Sequence, residues 1–419
     1  MWVAILGISL ALAVASLFYL VSRFKKFLFI RKLAGEKKGL LKLFSWLMLL
    51  PLVVYGVFDT VNAIIVLLHL AVFWLIADGI ASAVRNFKRR RRKKQKTDLP
   101  NDDNTDINQM ADEKDDVTIT GSPDDSGMKK TDCSTGRKKP YWLGLTVLLI
   151  TAVYLGIGWY NAHHVSITKY KVNTEKEIGA ESLRIVQVTD SHVGTTFDGE
   201  GFAEHMKTVQ DLEPDMVVIT GDFVDDGSTK EDLIRSCEAL GELKTKYGVY
   251  FVYGNHDKGY FNSRDFTAED IETELSKNNV IILQDESVLV DDLFYVVGRK
   301  DASAENERGS DKDGRKAAQE LTEGLDKDRF ILMLDHQPTD YDNEAAAGAD
   351  LVLSGHSHGG QLIPLQFIGQ YIIRSNNRTY GIEKRKGTTF IVCSGISDWE
   401  IDFKTGCKSE IVVVDVIAK

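Results

Sequence analysis

The chain has 419 residues and a formal net charge of −10, which is the sum of two unlike parts: residues up to Lys139 carry an excess of nine positive charges, the rest nineteen negative. An acidic globular part is repelled by phosphate backbones, which argues against a nucleic-acid binder. Cys133, Cys237, Cys393 and Cys407 form no CxxC pair, so neither a zinc ribbon nor a disulfide scaffold is indicated.

Trp2 to Val21 is almost wholly apolar, and about twenty helical residues span a bilayer core. A signal peptide would need a charged n-region, which is missing, and the apolar run continues past Ala13-Val14-Ala15, so a retained helix is expected. Leu40 to Phe58 and Val61 to Val84 are separated only around Asp59 and Thr60, which predicts a tight helical hairpin with a kink at Pro51. Within the second arm Asn62 and His69 share a helix face, while Asp78 falls near the opposite side. Ionisable groups at such depth are functional candidates by default, but a neutral His69 bonded within the helix bundle is the simpler expectation.

The basic run Phe87 to Lys96 follows directly and suits anionic headgroups on the cytoplasmic side better than it suits a nucleic acid. Asp98 to Asp132 is rich in Asp, Asn, Ser, Thr and Gly and is expected to be a disordered acidic linker. After Arg137, Lys138 and Lys139 comes a fourth spanning segment, Tyr141 to Tyr160, with aromatics at both ends. The expected organisation is therefore residues 1–84 with three membrane helices (about 2–22, 40–58 and 61–84), a cytoplasmic linker 85–139, a fourth helix 140–162 and a soluble domain 165–419. The loop carrying Arg23 to Lys42 and the long third loop are basic, whereas the short hairpin turn has no Lys or Arg. Both basic loops then face the cytoplasm, and the soluble domain lies outside.

From Val165 a short tether to Ser182 precedes apolar strands that alternate with helical segments, the pattern of an α/β domain. Strands are expected at Leu183–Val188, Met216–Ile219, Val249–Val252, Val280–Leu283, Leu293–Val297, Phe330–Leu334 and Leu351–Leu353, then near Tyr371, at Phe390–Cys393 and at Ile411–Val416. Helices are expected at Phe202–Leu212, Lys230–Lys246 and Glu269–Lys277, and Lys300 to about Gly314 is a polar surface excursion.

Five of these strands deliver Asp, Asn or His immediately past their C-terminal ends, where open α/β sheets place ligand sites. The residues are Asp190 and His192, Asp222, Asn255 to Asp257, His336, and His356 and His358. Five of the nine histidines fall in these places, which scattered structural histidines would not do. In an extended segment the His356-x-His358 pair would present both rings on one side at a pitch suited to a metal.

Asp190-x-His192, Gly221-Asp222, Gly254-Asn255-His256-Asp257, His336 and Gly355-His356-x-His358, in that order, resemble the calcineurin-like metallophosphoesterases over about Leu183 to Val416. The Gly-His-Ser-His-Gly-Gly-Gln form and the closing Cys393-Ser394-Gly395, behind a membrane anchor, are similar to membrane-associated bacterial phosphodiesterases and UDP-2,3-diacylglucosamine hydrolases. The resemblance implies a four-layer α/β/β/α sandwich and two divalent metal ions. Asp190, His192, Asp222 and His358 would hold one, and Asp222, Asn255, His336 and His356 the other, with Asp222 bridging. Mixed nitrogen and oxygen ligands suit Mn, Fe or Zn. His256 would serve as acid or charge stabiliser toward the leaving oxygen, held by Asp257, and the reaction would be in-line hydrolysis of a phosphate ester, a diester before a monoester, with a lipid-linked or wall-polymer ester as the expected substrate of an outward-facing site.

Three groups are set aside. Asp225 and Asp226 read as capping the next helix, His163 and His164 as interfacial, and Cys393 as core. The rival function is a membrane sensor using the same fold as a binding module, which has no need of His256 beside a full ligand set.

Overall fold

The computed structural model describes residues 2–97, 140–258, 263–305, 314–373 and 375–419. They form two compact units, Met1–Thr151 and Ala152–Lys419.

The first unit is helical: α1 (Trp2–Phe24), α2 (Leu28–Ala34), α3 (Lys38–Leu47), α4 (Leu50–Phe58), α5 (Thr60–Thr97) and the first half of α6 (Trp142–His163). Pro51 stands in the first turn of α4, where its missing N–H costs nothing, and the hairpin arm is broken there into α3 and α4. Among the described residues Lys38–Phe58, Thr60–Arg92 and Trp142–His163 are long and apolar enough to cross a membrane, and α1 adds the shorter apolar stretch Ser9–Phe24. Trp74 is fully buried and meets Phe24 and Phe27 edge-on, while its indole N–H donates to the Tyr141 hydroxyl at 3.1 Å. Asp78 pairs with Arg23 at 2.7 Å and accepts from Tyr19 at 2.8 Å, so this charge is neutralised between α1 and α5. Asn62 donates to Asp59 across the start of α5, and His69 Nδ1 pairs with the Ile65 carbonyl one turn back. The basic run Phe87–Lys96 continues α5, whereas the acidic stretch Asp98–Asp132 lies outside the described residues.

The described residues of the second unit form twelve strands: β1 (Ser166–Thr174), β2 (Ser182–Val188), β3 (Met216–Thr220), β4 (Val249–Val252), β5 (Val280–Ile282), β6 (Glu286–Val290), β7 (Phe294–Gly298), β8 (Ile331–Leu334), β9 (Leu351–Ser354), β10 (Gly381–Arg385), β11 (Thr388–Val392) and β12 (Glu410–Ala418). They make two six-stranded sheets, ordered β1-β12-β2-β3-β4-β5 and β10-β11-β9-β8-β7-β6. Alternation along each strand sends one set of side chains between the sheets and the other outward. Leu183 and Ile185 of β2 and Met216 and Val218 of β3 thus meet Leu332, Leu334, Leu351 and Leu353 in a shared core. Their neighbours Val186, Val188, Val217 and Ile219 face α7 (Gly199–Asp211), α8 (Lys230–Gly241) and α10 (Ala268–Lys277). The short helices Ala318–Leu321 and Tyr341–Ala346 pack on the other sheet.

Four sequence expectations need correction. Val165 to Ser182 is not a free tether, because β1 pairs in parallel with β12 along its whole length. The segment near Tyr371 is a helical turn, Ile368–Ile373, and the strand comes later as β10. Helix α8 opens on a Thr229/Asp232 capping box and stops at Gly241, short of Lys246. Strand β6 had no counterpart in the sequence reading: only Val290 of its five residues is buried, so its apolar signal is weak. Of the excursion from Lys300, residues 306–313 lie outside the described residues.

Candidate metal centre

The loops after β2, β3, β4, β8 and β9 converge because these strands end at the same edge of the two sheets. Gln187 at the end of β2 fixes that edge, donating to Thr220 Oγ1 at 2.8 Å in its own sheet and to the Ser354 carbonyl at 2.9 Å in the other. Backbone bonds then tie each ligand loop to the next: Asp190 N to the Gly221 carbonyl at 3.0 Å, His192 N to the Asp222 carbonyl at 3.1 Å, and Gly355 N to the His336 carbonyl at 2.9 Å. Gly221 has φ +88°, and a Cβ there would stand 2.6 Å from His336 Nδ1, so no other residue lets β3 and β8 close so tightly. Asp190, His192, Asp222, His356 and His358 all adopt positive φ, an uncommon conformation for non-glycine residues that clusters where a site demands it.

Among the described residues the side chains fall into three groups with potential ligand atoms within 4.8 Å of one another, all buried except the half-buried His356: Asp190, His192 and His358; Asp222, His336 and His356; and His192, Asp225 and His256. His192 Nε2 lies 3.1 Å from His358 Nε2 and 3.7 Å from Asp222 Oδ2, which links the first two groups. His336 donates through Nδ1 to the Thr220 carbonyl at 2.8 Å. Its Nε2 is buried, lies 3.1 Å from Asp222 Oδ2 and makes no hydrogen bond of good geometry. Asn255 Oδ1, His356 Nδ1 and His358 Nδ1 are likewise buried and unpartnered. Buried polar atoms are normally satisfied, so nitrogens of His336 and His356 left without a hydrogen bond in the group they share with Asp222 fit cation ligation.

Electrostatics favour that fit at His356, His358 and Asp222 and oppose it at His336 and Asp190. Burial, reinforced by the charge of His336, pushes His356 down to about 4, and burial with His192 beside it carries His358 well below the usual imidazole range. Burial opposes ionisation of Asp222, yet the neighbouring His336 holds its carboxyl well below the usual range, while Asp222 in turn holds His336 well above its own. Burial raises Asp190, with His336 and His192 opposing and Asp222 reinforcing. A cation requires ionised carboxylates and neutral imidazoles: the shifts of His356, His358 and Asp222 favour those states, whereas His336, held above its usual range by Asp222, would give up a proton as a cation bound.

The structure departs from the sequence reading at three points. The His356–His358 segment is not extended: His358 begins a tight turn, and the two rings enter different groups, His358 with Asp190 and His356 with Asp222. Asp257 does not hold the His256 ring at Nδ1. Its carboxylate accepts from the backbone N–H of Phe223 at 2.7 Å, Val224 at 3.1 Å and Gly254 at 2.7 Å, stapling the β3 and β4 loops together. Burial, and then the charge of Asp222, pushes Asp257 up to about 6. The partner of His256 is Asp225, whose two oxygens take His256 Nδ1 at 2.9 Å and His192 Nδ1 at 3.1 Å. Asp225 is 3% exposed rather than a solvated cap. Against the opposing effect of burial, these two imidazoles lower its pKa and it raises that of His256. The only sequence signal was its position three residues after the Gly221-Asp222 turn.

Residues 183–360 match the calcineurin-like phosphoesterase family. The chain carries a calcineurin-like metallophosphoesterase domain. Among relatives, a bovine transmembrane protein with a metallophosphoesterase domain is 30% identical over 281 residues, 63% of this chain and 60% of that one. A metallophosphoesterase of Aquifex aeolicus is 28% identical over 284 residues, 65% of this chain and 99% of its own. This chain thus spans somewhat under two thirds of the bovine protein and nearly all of the bacterial one. A crystal structure of a dimetal phosphatase from Danio rerio aligns at 12% identity over 52% of this chain and 88% of that one, with a TM-score of 0.35. The matched residues begin in β2, so α1 to α6 and β1 lie outside them, as do β10, β11 and β12.

Proposed function

We propose that this protein is a membrane-anchored phosphoesterase that hydrolyses a phosphate ester, a diester in first preference, outside the cytoplasm. The observation that carries the reading is the pair of groups Asp190, His192, His358 and Asp222, His336, His356, each with potential ligand atoms within 4.8 Å of one another, with His336 Nε2 and His356 Nδ1 buried and without a hydrogen bond. Asp190, His192, Asp222 and His358 would hold one divalent cation, and Asp222, Asn255, His336 and His356 a second, of Mn, Fe or Zn type. A pair of cations sharing a carboxylate supplies an activated water, charge neutralisation at phosphorus and alignment for in-line displacement.

The remaining steps belong to the chain's own groups. Asp225 orients His192 and His256 together, so the ring that binds and the ring that transfers a proton are set by one carboxylate. With Nδ1 of His256 held in this way, the proton passed to the leaving oxygen is the one on Nε2. Trp399 lies edge-on against His256 with ring centres 5.3 Å apart and limits the rotation of that ring. Asp257 acts by fixing the two loops that present Asp222 and His256. The basic segments between α1 and α3 and at the end of α5 support four crossings and an outward-facing domain.

The test is metal analysis and turnover on the full-length protein in detergent. Two cations per chain, hydrolysis of bis-p-nitrophenyl phosphate abolished by chelation, and loss of both activity and metal in Asp222→Asn are expected, because an amide cannot bridge two cations as a carboxylate does. Full metal content and turnover in that variant would overturn the assignment. Protease added to intact spheroplasts tests the topology, and a domain protected until the membrane is breached would place it in the cytoplasm.

A further inference from the structure

Between Gln361 and Arg374 the sequence reads LIPLQFIGQYII, with no charged residue. Ile363, Leu365, Phe367, Tyr371 and Ile372 are 44%, 47%, 53%, 65% and 73% exposed. Among the described residues from Val165 onward, every large apolar side chain more than 40% exposed belongs to this stretch. A contiguous exposed apolar segment of this kind marks an interaction surface. It also follows directly on the ligand-bearing His356–His358 turn.

What covers it is indicated by its neighbours. Ile363 N donates to Thr405 Oγ1 at 3.0 Å, and Thr405 N donates to the Gln361 carbonyl at 2.8 Å. Thr405 in turn lies against α6: a Cβ on Gly158 would stand 2.8 Å from Thr405 Cγ2, and Lys404 N donates to the Gly158 carbonyl at 2.9 Å. Gly158 immediately precedes Trp159 and Tyr160, which are 51% and 55% exposed near the C-terminal end of this apolar helix. Exposed Trp and Tyr at the end of a spanning helix mark the headgroup level of a bilayer. The apolar stretch is therefore held, through one residue, at the level where α6 leaves the membrane.

We propose that residues 362–372 lie in the headgroup and upper acyl region of the leaflet from which α6 emerges, a bilayer-docking loop that sets the metal centre at the membrane surface. The inference rests on reading α6 as a membrane crossing and deepens the proposed function, since a loop that carries the ligand turn on one side and lipid on the other presents the site to phosphate esters of membrane lipids. The polar centre and the apolar loop share one short connection, so such a substrate would need only to lift its headgroup.

The experiment uses the full chain in vesicles of equal parts phosphatidylcholine and phosphatidylglycerol. Cys237, Cys393 and Cys407 are buried, so a Cys133→Ser background leaves an introduced thiol as the labelling target. Phe367→Cys and, independently, Tyr371→Cys are labelled with the environment-sensitive dye NBD and exposed to lipids bearing nitroxide near the headgroup or at the tail end, or to aqueous iodide. Blue-shifted emission, quenching by the shallow nitroxide several-fold above that by the deep one, and protection from iodide are expected. Water-like emission quenched by iodide in both variants overturns the proposal. Protection from iodide and lipid nitroxide alike also overturns it, since the loop would then be covered by protein or by a second copy. Because the readout involves no turnover, failure of the phosphoesterase reading leaves this test intact.

Discussion

Asp225→Asn is the perturbation that probes the centre most directly, because one buried carboxylate serves two imidazoles at 2.9 and 3.1 Å. The amide is isosteric, but it has one acceptor and one donor end in place of two acceptors. One Nδ1 proton keeps its partner. The other ring must then turn to the tautomer that accepts at Nδ1, or face an N–H with an N–H in a site 3% exposed. If His192 adapts, the proton moves to Nε2 and removes the lone pair it would offer a cation. If His256 adapts, it loses the anion that favours its protonated form. Each hydrogen bond to an ionised group is worth about 1.5–3 kcal/mol, so a loss of one corresponds to roughly 10- to 100-fold in metal affinity or kcat, the range common for partners that orient metal ligands. Chelator competition and steady-state turnover of bis-p-nitrophenyl phosphate on the full-length chain measure both. Affinity and kcat both within about twofold of the parent would refute the reasoning. So would strict additivity of Asp225→Asn and His256→Ala in kcat if metal affinity is retained, because a residue acting through His256 has little left to lose once that ring is gone.

Other outcomes follow from the same geometry. His256→Ala should retain its metals and lose mainly kcat, least with leaving groups of low pKa, which need no proton; a uniform loss across leaving groups would remove the acid role. Lys404 is fully buried, with Nζ donating to the carbonyls of Ser394 at 2.9 Å and Ser397 at 2.8 Å and facing Asp398 at 3.2 Å. Lys404→Met should destabilise the domain by about 3–5 kcal/mol by stranding the Asp398 charge, and Lys404→Met with Asp398→Asn should recover part of it; thermal unfolding that shows no recovery would mean the charge is not what matters. Tyr170 and Tyr250 are each pushed up to about 12, in both cases chiefly by burial. Unfolded tyrosines release their protons first, near pH 10, so stability should fall as pH rises from about 10 towards 12, which phenolate absorbance and circular dichroism followed together will register as coincident transitions.

What the sequence determined is what local chemistry controls. Apolar runs such as Leu183–Val188 and Met216–Ile219 are strands whatever surrounds them, because only a pleated chain buries both faces of so short a run. The polar residues that break each run could be picked out as candidate ligands from their type and position alone, and Asp190, His192, Asp222, His336, His356 and His358 do come together. Tertiary structure decided whatever depends on a distant partner. The segment from Val165 reads as a tether because its few apolar residues bury little, and it becomes β1 only because β12 arrives beside it from more than two hundred residues further on. Near Tyr371 a β-prone sequence forms a helical turn, since its neighbours on the Thr405 loop offer hydrogen bonds to only part of it and leave its apolar side chains outside any sheet. Asp225 and Asp257 exchanged their expected parts for the same reason. A carboxylate two or three residues past a turn can cap a helix, staple a loop or hold a ring, and local chemistry does not choose among these. The choice was made when the β3 and β4 loops closed, which brought the backbone N–H groups of Phe223 and Val224 to Asp257 and two imidazoles to Asp225.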